Sequence, residues 1–287
     1  MLVILGYLVV IGSVFGGYAL MGGHFGALYQ PLEVLMIGGS AFGAFLAGNN
    51  RKTIVATARQ LPRLFRSSRH NKALYMDLLA LLFLLLAKGR KDGMLALEAD
   101  IEDPPNSPLF QQYPRILAEA GIVDFLSDYL RVIISGNADP HEVEALMDHE
   151  IETYQHESSV PAHALARVGD ALPALGIVAA VLGVVHALGS ADLPPSVMGQ
   201  LIAHAMVGTF LGVLLAYGFV SPLASLVEQK LAESSKLFEA AKVTLLASLN
   251  GYAPQLAVEF GRKVLYSTER PTFRELDSHV RDVKAAR

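Results

Sequence analysis

The sequence predicts an all-α, polytopic membrane protein with four transmembrane helices and a large helical cytoplasmic region. Three observations carry this. The 287 residues are 52% hydrophobic and only 17% charged, below the roughly 25% charge of an ordinary soluble domain. All 23 Lys and Arg lie between Arg51 and Arg167 or between Lys230 and Arg287, which leaves residues 1–50 and 168–229 without a basic side chain. Those two clean stretches hold the long apolar runs, and no strand-like alternation of any strength appears elsewhere.

Met1–Leu20 and Pro31–Gly48 make the first two spans, and Leu172–Gly189 and Gln200–Pro222 the second two. Each has the length needed to cross about 30 Å of hydrocarbon. The hairpin tips, 21–30 and 190–199, are short and carry no Lys or Arg. Arg51, Lys52, Arg59, Arg63, Arg66 and Arg69 follow the second span at once, which puts both termini and the large loop on the cytoplasmic side. The first span lacks the basic leader of a cleaved signal peptide. The chain therefore divides into a hairpin (1–48), a cytoplasmic helical loop (49–168), a second hairpin (169–222) and a cytoplasmic helix and tail (223–287).

Within the cytoplasmic part, Asn49–His70 is basic and amphipathic and reads as an interfacial helix. Leu78–Ala87, LLALLFLLLA, is too short to span and sits among charges, so it reads as a buried core helix. Lys88–Asp103 switches from basic to acidic, and the run Asp103-Pro104-Pro105-Asn106-Ser107-Pro108 breaks the chain. Ile116–Ser135 has helical periodicity. Asp139-Pro140 reads as an N-cap with Pro at the first helical position, opening an acidic helix to about Glu157. Leu223–Leu249 is a long helical pattern, ended by Asn250-Gly251-Tyr252-Ala253-Pro254, and Pro271 marks a break in the tail.

Composition excludes several chemistries. There is no Cys, hence no disulfide and no thiolate metal site. A net charge of −4 does not suggest nucleic acid. His141, His149 and His156 are spaced poorly for one metal site, and no nucleophile–base pair, P-loop or GxGxxG stands out. No enzyme and no cofactor is expected.

The informative pattern is a stripe of small residues. Gly176, Ala179, Ala180, Gly183 and Ala187 recur on one face of the third span. Gly208, Gly212 and Ala216, with Ala205 and Thr209 beside them, do so on the fourth. Lipid supplies no hydrophobic drive between helices, so close backbone approach is how they associate. The third and fourth spans packing on each other would use one stripe from each; Gly12 with Gly16 and Gly39 with Gly43 add surface that suits other subunits or a foreign helix. Ionisable groups are sparse at depth. Glu33 sits near the outer edge of the second span, Asp170 at the inner edge of the third, His186 and His204 towards the outer ends, and Thr209 is the most deeply placed polar group. If ions cross here, a carboxylate has to come from another chain.

The segments GYLVVIGSVFGGYALMGG, ALPALGIVAAVLGVVHALGSAD, AHAMVGTFLGVLLAYGFVSPL and NGYAPQLAVEFGRKVLYSTERPTF together resemble the MotA family of flagellar motor stator proteins, over nearly the whole chain. The resemblance implies a pentameric ring around two copies of MotB in the cell inner membrane, MotB supplying the ion-binding aspartate and a peptidoglycan anchor. It implies a complex that converts proton motive force into torque on the rotor. On this footing Gly176, Ala179, Ala180, Gly183, Gly208 and Gly212 pack against MotB helices, and Ala180 and Thr209 line the ion path. Sodium-driven relatives carry a hydroxyl residue where Ala180 stands, so protons are the implied coupling ion. Pro173 and Pro222 match membrane-edge prolines that couple protonation to cytoplasmic movement, although Pro222 read alone is equally a helix stop. Arg90 and Glu98, with Glu150 as a weaker member, match charges that act on the rotor protein FliG. Within one helix, positions eight apart lie about 80° from each other, so Arg90 and Glu98 could face one partner; read alone they are a solvated charge run. The alternative is a TolQ- or ExbB-like stator serving the outer membrane, but those are three-span proteins.

Overall fold

In the computed structural model of the chain, residues 2–65, 69–136, 139–189 and 194–285 are described. Arg66, residues 190–193 of the second hairpin tip and the last two residues of the tail lie outside them. Every regular element among the described residues is helical. Four helical stretches are long and apolar enough to cross a membrane, and the chain clusters into two units: residues 1–67 with 158–229, and residues 68–157 with 230–287.

The second unit is built around α5 (Lys72–Asp92), which contains the LLALLFLLLA run. Asn71 caps it, its side chain accepting from the backbone N–H of Ala73 and Leu74 at 3.1 Å each. Every residue from Leu78 to Leu86 is buried, as expected of a core helix. Around it pack α8 (Ala120–Ile134) through Phe125, Leu126 and Leu130, α12 (Pro254–Val264) through Ala257 and Val258, and α13 (Phe273–Ala285) through Leu276 and Val280. Val143, Met147 and Ile151 of α9 (Pro140–Leu188) and Leu237, Phe238 and Leu245 of α11 (Ser221–Leu249) complete the core. Asp139 caps α9 by accepting from His141 N at 2.8 Å, and Gly251, at φ 85°, turns the chain after α11.

In the first unit, α1 (Leu2–Leu20) has no buried residue. It is attached by aromatic contacts: the Tyr7 and Phe219 rings are 4.9 Å apart, and Phe15 meets Phe210 edge-on at 6.5 Å. A short helix, α2 (Phe25–Leu28), precedes α3 (Pro31–Ala47), which buries Ile37 and Ala41 against Leu172, Ala179 and Ala216. α4 (Arg51–Leu64) is amphipathic as expected, but the end of its apolar face is covered by protein: Leu61 and Leu64 pack on Ala162, Leu165, Ala224 and Val227. The interfacial reading is corrected to that extent.

Two helix boundaries also differ from expectation. The break expected between about Glu157 and the third span is absent, because α9 runs unbroken from Pro140 to Leu188 with Pro161 and Pro173 inside it. Ser158–Val168 is small and apolar enough to bury Ala162, Ala164 and Leu165, and that packing outweighs one missing hydrogen bond per proline. The fourth span starts at Pro195 with α10 (Pro195–Val213), passes through a π-helical stretch (Leu214–Val220), and continues directly into α11. Pro222 therefore does not end a helix.

Candidate functional site

The membrane part of the site is the seam between the third and fourth spans. A Cβ on Gly176 would lie 2.7 Å from Gly208 O and 3.0 Å from Gly212 Cα; one on Gly212 would lie 2.7 Å from Leu172 O. A Cβ on Gly183 would lie 2.7 Å from Ala205 Cβ. Backbone stands against backbone, so no side chain larger than hydrogen fits without parting the helices. Gly176, Ala179, Gly208 and Gly212 are buried and Gly183 half-buried within the single chain. Within the single chain their contacts lie inside the hairpin, which is the first of the two readings left open above.

The surface beside the seam is what a further helix could meet. Ile177, Val178, Val181, Leu182 and Val185 are all more than half exposed. With Ala180, Ala205, Met206, Thr209 and Phe210, some of them form an open apolar groove of about 610 Å³. The two residues expected to line an ion path, Ala180 and Thr209, thus share one groove, and Thr209 brings the only side-chain hydroxyl in its lining.

Glu33 departs most from expectation. It lies in the first turn of α3 and is 6% exposed. Its Oε2 stands 3.1 Å from the position of a Cβ on Gly208, and Ala180 N stands at the same 3.1 Å. Ala180 is ten residues, about 15 Å, along the helix from Asp170. The carboxyl therefore reaches the middle of the third span, not its outer edge, and the deep membrane part of this chain does contain an acid. The linear sequence hides this, because a residue near the start of one span can lie level with the middle of another.

The two prolines flank one contact at the inner end of the seam. Pro173 has no N–H to offer Gly169 O, four residues back, and Ser221 Oγ sits 2.8 Å from where a Cβ on Gly169 would be. Ser221 immediately precedes Pro222, so one contact adjoins both positions. Pro222 likewise leaves a carbonyl of the preceding turn without its donor, and a proline ring crowds the carbonyl four residues back. The π-helical stretch just before it widens the turn there, as Ser221 N bonding Ala216 O records. Tyr7 of α1 donates its hydroxyl to Phe219 O at 2.8 Å in the same stretch.

The second part of the site is the charged tip of the other unit. Arg90 is in the last turns of α5, while Glu98 opens a separate short helix, α6 (Glu98–Glu102). Between them Gly93 at φ 89° and a 3₁₀ turn, Met94–Leu97, interrupt the helix, so the two charges do not share one helix. The two charges are nevertheless oriented together. Lys88 and Asp100 form an ion pair at 2.6 Å, and Asp100, with a side chain only 5% exposed, also accepts from Ser107 Oγ at 2.5 Å. Residues two apart on a helix lie about 200° apart. With Lys88 and Asp100 held inward, Arg90 and Glu98 are turned out. Both are exposed, and no ion pair among the described residues engages either. Glu150 is exposed on α9 and accepts from Tyr129 Oη at 2.8 Å; burial, then this carboxylate, pushes the Tyr129 hydroxyl well above its ordinary range.

Residues 4–93 match the family Motility protein A N-terminal, and residues 117–240 match the MotA/TolQ/ExbB proton channel family. The chain is 63% identical over 284 residues to Motility protein A of Salmonella typhimurium, covering 99% of this chain and 96% of that one, and equally to Motility protein A of Escherichia coli. Its fold is similar to that of C. jejuni MotAB, with a TM-score of 0.77 over 94% and 98% of the two chains at 21% identity. It is also similar to the flagellar MotAB stator complex of Bacillus subtilis, with a TM-score of 0.72 over 89% and 92% at 26% identity. The glycine seam, the outward charges and these likenesses converge: the chain belongs to the Motility protein A family, the non-enzymatic stator subunits of the bacterial flagellar motor.

Proposed function

We propose that five copies of this chain form a ring in the inner membrane around two MotB-type partner helices, with both termini in the cytoplasm, and that proton passage through the complex drives the ring to turn a FliG-type rotor. The observation that carries this reading is the uncovered groove beside the seam. The seam glycines satisfy each other, yet an apolar face with one hydroxyl, Thr209, and two small residues, Ala180 and Ala205, is left beside them. A single helix bearing an acid fits that face: its apolar side chains meet the valines while its carboxyl lies at the level of Thr209. The likeness to the B. subtilis MotAB stator complex supports the same assembly.

In this cycle a proton neutralises the partner's carboxylate, whose charge is costly within the membrane. The neutral group lets the ring repack by one step. Each charge falling through 100 mV supplies about 2.3 kcal/mol, several times RT. The contact at Gly169 and Ser221, flanked by Pro173 and Pro222, is where that repacking passes to α9 and α11. Arg90 and Glu98, helped by Glu150, push on the rotor through exposed charge pairs of about 1 kcal/mol or less each, weak enough to form and break at every step. Co-expression with the acid-bearing single-span partner tests the assembly. The two should co-purify with an excess of this chain, and native mass spectrometry should give five copies to two. Proton conduction by this chain alone in liposomes, or recovery of the chain without the partner, would sink the reading.

A further inference from the structure

We infer that Glu33 is a second proton-carrying carboxyl of the ion path, supplied by this chain itself. The inference rests on the stator reading above and extends it. Glu33 is buried, and its Oε2 has no hydrogen-bond partner. An acid used only for structure would be held by donors, since buried polar groups are almost always satisfied. No cation answers it either, because residues 1–50 and 168–229 contain no Lys or Arg. The ionisable side chains on the packed elements are His204 on α10, one turn before Gly208; Tyr217 in the π-helical stretch; Asp170 and His186 on the membrane half of α9; and Tyr7 and Tyr18 on α1. Tyr7 is committed to Phe219 O. Glu33 itself is the single acid of α3. An unpaired carboxylate in this setting would be heavily penalised, so the packed state holds Glu33 as the neutral acid.

Gly208 brings the carboxyl up to the groove wall. A Cβ there would lie 3.1 Å from both Glu33 Oε2 and Ala180 N, so the bare glycine lets the acid approach the Ala180 backbone, and Ala180 and Thr209 line the groove proposed for the partner helix. A larger residue at 208 would press the carboxyl away. In the transfer step the O–H bond of Glu33 breaks and an O–H bond forms on the partner's carboxylate; Glu33 becomes the carboxylate and is reprotonated from the outer side. The negative charge alternates between two acids and no other reactant is needed.

The test uses the full chain with its acid-bearing partner, in a motile host lacking its own copy of this gene. Rotation speed against external pH and recruitment of fluorescently tagged complexes to motors are recorded for wild type, Glu33→Gln and Glu33→Asp. Glu33→Gln keeps the shape and carries no proton; it should be recruited normally yet lose most of its rotation. Glu33→Asp should keep part of it, with the pH dependence shifted. Infrared difference spectra of the purified complex, taken on a step in pH, should show a protonated-carboxyl band in wild type that is missing in Glu33→Gln. Wild-type speed and pH profile in Glu33→Gln would overturn the inference. If that variant is not recruited, the spectra decide: absence of the band from wild type overturns the inference, and its shift in Glu33→Asp supports it. A wild-type chain that fails to turn the motor overturns the stator reading itself, and this role with it.

Discussion

Two apolar helices of this chain use similar residues in opposite ways. Leu78–Leu86 in α5 is buried throughout, whereas Leu2–Leu20 in α1 has no buried residue at all. The first lies in a unit held by interlocking leucines and phenylalanines around a water-excluded core. The second lies in a unit whose helices are held by glycine contacts, aromatic pairs and one tyrosine hydroxyl, with many large side chains facing outward. In water, large apolar side chains drive packing because burial removes them from solvent. In lipid that drive vanishes, and small residues that let backbones touch do the holding. The same residue type is therefore the adhesive in one unit and faces outward in the other.

The contrast is broken most severely by exchanging the rules. Gly212→Leu sets a side chain against Leu172 O and Gly176 Cα, both backbone atoms. We expect the seam to open, with loss of a defined oligomer on gel filtration and loss of motility. Leu82→Ala, the corresponding loss in α5, should lower the stability of the cytoplasmic unit by about 2–5 kcal/mol while membrane insertion is kept; limited proteolysis and thermal unfolding check it. An intact Gly212→Leu complex would refute the seam account.

Reversing both tip charges, Arg90→Glu with Glu98→Lys, should abolish torque, and reversing the rotor's matching charges should restore it. Neutralising either one should only reduce torque, in keeping with about 1 kcal/mol or less per exposed pair. Asp100→Asn sharpens the point because it leaves Arg90 and Glu98 untouched. Removing the charge answering Lys88 in a mostly buried clasp should cost about 1–3 kcal/mol and reduce torque by loosening how the tip is presented, with normal recruitment to motors.

Tyr7→Phe leaves Phe219 O without its donor in the π-helical stretch; a loss of about 1 kcal/mol should appear as lower thermal stability in detergent. The smallest effect concerns α13. Glu275 accepts from Lys72 Nζ at 2.7 Å and from Thr272 N at 2.6 Å, which hold its carboxyl down to about 2, against an ordinary value of 4.5. A depressed pKa gives stability above the ordinary value that is lost as pH falls through the folded one. Glu275→Gln should therefore loosen α13 near neutral pH, seen as faster amide exchange, with the difference shrinking as pH falls from the ordinary carboxylate range towards about 2 and vanishing below it.

Much of this was legible in residue order. The four spans follow from the missing basic residues, and the core role of α5 from a run too short to span. The Asp139 and Asn250-Gly251 boundaries follow from cap and turn chemistry. Other features were written in the sequence and passed over. Thr272-Phe-Arg-Glu275 is a capping box, and Thr272 and Glu275 exchange the reciprocal bonds that define it. Pro222 misled in the other direction, since a proline after an apolar run usually marks an end. Here the π-helical stretch absorbs its missing N–H, and the helix goes on to Leu249.

The sequence by itself determined which segments enter lipid, that they are helical, and that small residues bind them, because hydropathy, charge placement and residue volume act locally along the chain. Tertiary structure alone decided that the glycines are spent on each other, that Arg90 and Glu98 point outward from two different helices, and that the Glu33 carboxyl lies at mid-span against Gly208. Those outcomes depend on which faces meet across more than a hundred residues of chain or around a turn, and no local pattern encodes such a meeting.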